Sequence, residues 1–160
     1  MSYAFSGLDK VTSLDTSKFD TSKVTDMSNM FLSCSNLLSL DLRSFDTRNV
    51  VDMNRMFDLC RQIKKIEFGK LDTKNVVDMA QMFRECHELE NVDLSSFDVE
   101  KVTNFREMFF NDRNLVELNL KNFVPKNGEL FKSMFEGCTK LVSLDISNFE
   151  TPQALYMDKM

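Results

Sequence analysis

The stretch that decides the fold runs from Leu37 to Cys60, LLSLDLRSFDTRNVVDMNRMFDLC. Leu40-Asp41-Leu42 alternates apolar and polar residues, the period of a strand with one buried face. Phe45-Asp46-Thr47 follows. Asp and Thr side chains bond nearby backbone N–H groups, which favours a turn. Val50 then returns to the core. Met53, Met56, Phe57 and Cys60 stand at i, i+3, i+4 and i+7, the spacing of one face of an α-helix. Asp52 precedes them, placed to cap that helix and to favour its positive end. The stretch therefore predicts a strand, a turn, a short extended segment, a short helix and a return.

Working outward, the same stretch recurs along the whole chain. Phe19, Phe45, Leu71, Phe97, Phe123 and Phe149 lie 26 residues apart, and so do Met30, Met56, Met82, Met108, Met134 and Met160. The step also links Phe5, Phe31, Phe57, Phe83, Phe109 and Phe135, and Val11, Leu37, Ile63, Leu89, Leu115 and Leu141. Asp26, Asp78 and Asn104 share the position of Asp52. No insertion breaks the register. Residues 1–160 thus form one repeat domain. Its units are 11–36, 37–62, 63–88, 89–114 and 115–140, with partial coils at 1–10 and 141–160. A single unit cannot bury its apolar residues alone. Stacked units can, each strand adding to a parallel sheet and each predicted helix packing beside the next. The Met column reads as core filler, since Met fits irregular gaps.

Composition narrows the function classes. The 160 residues are 42% hydrophobic and 28% charged, with a formal net charge of −5. That sign argues against nucleic acid, whose phosphates need a positive footprint. No run approaches the roughly 20 apolar residues of a membrane span. The first residues, MSYAFSGLDK, lack the basic and apolar regions of a signal peptide. A complete chain would stay in the cytoplasm, whereas one excerpted from a longer exported protein would sit at the cell surface.

Leu37-x-x-Leu-Asp-Leu, Phe45-Asp-Thr, Val50-x-Asp-Met and Met56-Phe-x-x-Cys resemble the BspA-like leucine-rich repeat of bacterial surface proteins. The resemblance covers essentially the whole chain. It implies an α/β solenoid of the leucine-rich-repeat type, with about six coils of 26 residues. The parallel sheet would lie on the concave face and the short helices on the convex one. It also implies roles in adhesion or host contact.

Columns that packing does not fix are where binding would be written. Asp15, Asp41, Glu67, Asp93, Asn119 and Asp145 lie between inward residues, so they face outward from the sheet. Neighbouring strands stand about 4.8 Å apart, so like charges in this row repel. One reading is a surface for a basic partner or for a hard cation such as calcium. The other is a solubilising, strand-capping row, relieved by Arg43, Lys65 and Lys121. Positions 39, 65, 91, 117 and 143 read Ser, Lys, Asn, Glu, Ser, and flank the row on the same face with Arg43 and Lys121. Such a mixed face suits a protein or peptide partner, or a glycan. The column of Asp20, Asp46, Asp72, Asp98 and Glu150 reads as turn chemistry.

Cys34, Cys60, Cys86 and Cys138 share one column, with Asp112 at its fifth place. Their spacing is not that of a zinc site, and they read as reduced core thiols. His87 is the only histidine, in a variable column expected to be exposed. No nucleophile converges on it, and no phosphate-binding Gly-rich loop or G-x-S-x-G elbow is present. The sequence therefore predicts no enzyme, catalytic residue, metal site or cofactor. It predicts an interaction or adhesion module, with a cytoplasmic inhibitor or immunity-type protein, acting by surface occlusion, as the alternative. An exposed end coil also offers a surface on which a second copy could stack.

Overall fold

A computed structural model describes all residues, 1–160, as a solenoid with a 26-residue step. Three walls surround its core. The first is a sheet wall of very short strands, β1 (Ser39–Asp41), β2 (Lys65–Glu67), β3 (Asn91–Asp93) and β4 (Glu117–Asn119). β1 pairs parallel with β2, Leu40 facing Ile66, and β3 pairs with β4, Val92 facing Leu118. The strands therefore form two separate two-stranded sheets, not one continuous sheet. The second wall is a chain of parallel bridges joining Asp26, Asp52, Asp78, Asn104, Leu130 and Tyr156 in turn.

The third wall corrects the sequence reading. No helix forms where Met53, Met56, Phe57 and Cys60 predict one, nor in any other unit. A succession of tight turns takes its place. Met56, Asp58 and Cys60 each donate a backbone N–H three residues back, to Met53, Arg55 and Phe57, at 3.1–3.2 Å. The alternate residues Met53, Arg55, Phe57 and Leu59 donate to the following coil instead, to Asp78, Ala80, Met82 and Arg84, at 2.9–3.1 Å. Every fourth residue turns into the left-handed region, Arg55 at φ 55° and Leu59 at φ 64°. The turns Met53–Met56 and Phe57–Cys60 thus carry a positive φ at their third residue, as a type II turn requires, and the turn Arg55–Asp58 overlaps both. A turn repeat of four residues buries i, i+3, i+4 and i+7 as a helix does, which is why the apolar spacing alone misleads. The contacts differ, because every second N–H now bonds across coils and knits the wall to its neighbours.

Asp52 accordingly caps no helix. Its Oδ1 accepts the N–H of Asn54 at 2.8 Å, and Asp26 and Asp78 accept those of Ser28 and Ala80 at 2.8 Å. The side-chain chemistry foreseen for a cap opens the turn wall instead.

The core lies between the walls as side-chain ladders. Phe5, Phe31, Phe57, Phe83, Phe109 and Phe135 stack with centroids 5.2–5.8 Å apart and rings within 16° of parallel. Met30, Met56, Met82, Met108 and Met134 are fully buried alongside them. Polar ladders tie coils together at the corners. Buried Thr21, Thr47 and Thr73 donate to the carbonyls of Asp46, Asp72 and Asp98 at 2.8–3.0 Å. Asn36, Asn49, Asn75, Asn122, Asn127 and Asn148 each donate an amide N–H to a carbonyl 27 residues back. The thiols of Cys34, Cys60, Cys86 and Cys138 donate to the carbonyls of Phe5, Phe31, Phe57 and Phe109 at 3.1–3.2 Å.

Candidate functional site

The sheet wall carries the acidic row outward, and most of the row first serves the backbone. Oδ1 of Asp15, Asp93 and Asp145 accepts the N–H of Ser17, Ser95 and Ser147 at 2.9 Å. Asp41 does the same for Arg43 at 3.0 Å, and Asn119 for Lys121 at 3.1 Å. Each bond closes the turn that leaves the strand. Glu67 is one methylene too long for this turn, and the residue two along is Gly69, at φ 62°. Hydrogen bonds from Ser17, Ser95 and Ser147 hold Asp15, Asp93 and Asp145 below the usual carboxylate range. The Arg43 guanidinium lowers Asp41 further, to about 2. These aspartates are therefore ionised at neutral pH.

Neutralisation of the row is uneven. Asp41 holds Arg43 at 2.7 Å, and Glu67 holds Lys65 at 2.5 Å. Asp93, Glu117 and Asp145 have no lysine or arginine nitrogen at ion-pair distance. Lys121 is exposed and likewise unpaired.

Two depressions gather the candidate residues. A groove of about 800 Å³ crosses β2, β3, β4 and the segment after them. Lys65, Asp93, Glu117, Asn119 and Asp145 line it, with Asn91 and Ser143 from the variable column. A smaller one of about 410 Å³ brings together Asp15, Asp41 and Arg43. Glu67 and Lys121 line neither. Sequence reasoning missed the groove's apolar side, formed by Val116 and Val142 with Ile66 and Leu118. Val116 is 38% exposed and Val142 85%. Their signal was present: Leu38, Val116 and Val142 follow an inward residue directly and so cannot also face the core.

Other chemistry-bearing side chains do not converge there. No group of three His, Cys, Asp or Glu side chains is arranged to hold a metal ion. His87 is half-buried, not exposed as its variable column suggested, with the charges of Arg113, Glu85 and Arg61 acting on it. Its Nε2 has no hydrogen-bond partner and lies 3.9 Å from Glu85. Burial lowers its pKa. The four cysteines are free, and burial pushes Cys138 up to about 12 and Cys86 well above the usual thiol range.

Comparison with known proteins enters at this point. The sequence pattern of one family, described as Mycoplasma protein of unknown function, DUF285, matches residues 1–110 and again 60–160. The chain belongs to the DUF285 family. Two overlapping matches are what a tandem repeat produces when one family pattern spans several coils. Among solved structures, the crystal structure of a T. pallidum leucine-rich repeat protein is similar at 20% identity and a TM-score of 0.35. That likeness covers 81% of this chain and 76% of that one. No curated protein matches. The solenoid of this DUF285 chain rests on its own 26-residue ladders. No helix in it is long and apolar enough to cross a membrane.

Proposed function

We propose that this chain is a non-catalytic binding module whose sheet face takes a protein or peptide partner. The observation that carries the reading is the groove of about 800 Å³, which gathers five of the ten residues singled out from the sequence. The groove is open, has an apolar side, and carries polar groups that vary from coil to coil. A repetitive scaffold with one variable face suits recognition of an extended surface. Chemistry-bearing groups are spent elsewhere: the thiols donate within the core, and the His87 Nε2 has no hydrogen-bond partner. The BspA-like resemblance supports adhesion or host contact at a bacterial cell surface as the setting.

The test is selection of a displayed random-peptide library on the wild-type protein and on an Asn91→Trp/Ser143→Trp variant. Both positions are exposed and line the groove, so the new rings fill it without entering the core. Peptides enriched on the wild type and not on the folded variant support the reading. Equal enrichment on both, or none on either, overturns it.

A further inference from the structure

The partner's chemistry follows from how the groove is charged, and this step rests on the binding-module reading. In β1 and β2 the outward carboxylates are closed by their own strand's cation, Arg43 on Asp41 and Lys65 on Glu67. In β3 and the segment after β4 that cation is missing: Ser95 and Ser147 stand where Arg43 stands, and Asn91 and Ser143 where Lys65 stands; β4 keeps Lys121 in the Arg43 column, but it pairs with no carboxylate. Asp93, Glu117 and Asp145 therefore enter the groove without an ion-pair partner.

Their placement is set by the strand register. Asp93 pairs with Asn119 across the β3–β4 ladder, and Asn91 with Glu117. Asp145 takes the same place one step further. With strands about 4.8 Å apart and residues about 3.3 Å apart along them, Asp93 and Glu117 flank the neutral Asn119, and Asp145 joins them in the groove lining from the next coil. Asp93 and Asp145 stand two coils apart, and the Phe ladder steps 5.2 and 5.8 Å over those coils, too far for them to share a metal ion. A side-chain cation lying over Asn119 would be attracted by all three. Val116 and Val142 offer exposed aliphatic surface beside them. Lys64 lines the groove and Lys121 does not, and neither forms an ion pair with these carboxylates. The carboxylates repel phosphate, which removes nucleic acids and anionic lipid as occupants.

We infer that the groove between β2 and the segment following β4 receives a basic, extended segment of a partner protein, one that interleaves Lys or Arg with aliphatic residues. The carboxylates select the charge and the valines bind the aliphatic side chains. An interface of this kind is steered and weakened by salt as exposed charges are.

The test uses a terminally blocked, fluorescein-labelled Lys-Val-Lys-Val-Lys-Val peptide, read by fluorescence anisotropy. Two variants of equal charge are compared with the wild type. One is Asp93→Asn/Glu117→Gln/Asp145→Asn. The other is Asp20→Asn/Asp98→Asn/Glu150→Gln, on exposed positions that do not line the groove. Asn preserves the turn at positions 93 and 145, as Asn119 does within the same row. The groove variant should bind about tenfold more weakly or worse, and the control within about twofold of wild type. Glu-Val and Lys-Ser peptides of the same length should bind far more weakly than Lys-Val. Equal losses in both variants, or a Lys-Val peptide no tighter than the other two, overturns the inference. Neutral or acidic peptides selected from the library and lost on filling the groove would overturn this inference while leaving the binding-module reading standing.

Discussion

Asp112 interrupts the run of cysteines from Cys34 to Cys138, and it is fully buried. Its Oδ1 accepts the N–H of Cys86 at 2.8 Å, while its Oδ2 is buried with no hydrogen-bond partner. In the other coils the thiol at this place donates to the Phe carbonyl 29 residues back. By that register the carbonyl facing Asp112 is Phe83's, and only a protonated carboxyl can donate to it. Burial raises the Asp112 pKa well above the carboxylate range, and the nearby Asp58 and Glu85 add to the effect. A carboxyl with a raised folded-state pKa binds its proton more tightly folded than unfolded. Its stability contribution is whole below the unfolded value of about 3.9 and declines as pH rises toward the folded value. Asp112→Asn keeps the acceptor, gains a permanent donor and has no proton to lose. Its stability advantage should be small near pH 4 and grow by up to about 1.4 kcal/mol per pH unit above that. Urea midpoints of the two proteins across the range measure this, and a pH-independent difference would show that Asp112 is ionised when folded.

At the scale of elements, the gap between β2 and β3 has a cause in two residues. Phe68 takes the column of Leu42, Leu94 and Leu120, and Leu71 takes that of Phe45, Phe97 and Phe123. The ring is displaced by three residues and packs edge-on to Phe57, Phe83 and Phe97 at 5.4–6.3 Å. The turn bond that Phe45 makes to Leu42 and Phe97 to Leu94, at 2.9–3.0 Å, has no counterpart from Leu71 to Phe68. Phe68→Leu alone should cost about 1–2 kcal/mol through the space it leaves. Adding Leu71→Phe should recover most of that, a coupling that a double-mutant cycle measures; additive losses would mean that the two sites do not share one volume. Such a swap can be read from sequence, because it shows against the columns. The turn wall could not be read so readily. Its apolar spacing is that of a helix, and only the residues in the left-handed region betray it. Gly7, Asn29, Asn111 and Gly137 suit that conformation, but Arg55, Leu59, Gln81 and Glu85 occupy it too and hide the signal. The outward row was legible because strand alternation fixes direction. The groove was not, since its lining is drawn from four successive coils and alternation within one strand does not say how those coils sit together.

For the whole molecule, the 26-residue step is a statement about which bonds can form. Turn-wall N–H groups reach the carbonyl 25 residues ahead, asparagine amides one 27 residues back, and thiols one 29 residues back. Almost every long-range bond is therefore made to an adjacent coil, and the 35-residue core is continuous from Met27 to Met134 through such neighbours. Stability in this arrangement is close to a sum over coils and their junctions. Removing residues 63–88 would join Gln62 to Leu89 with every column in register. The Arg61 carbonyl, which now accepts the N–H of Glu88 at 3.2 Å, would face Asn114 of the same column instead. Removing residues 63–75 would place strand residues of one coil against turn residues of the next, and no ladder would survive the junction. The first deletion should fold, with a lower Tm and a smaller unfolding amplitude by circular dichroism. The second should lose cooperative unfolding altogether. If the deletion of a full unit unfolds the chain as the half-unit does, its stability does not build up coil by coil. Some long-range feature, such as the Phe68–Leu71 exchange carried by that unit, would then be indispensable.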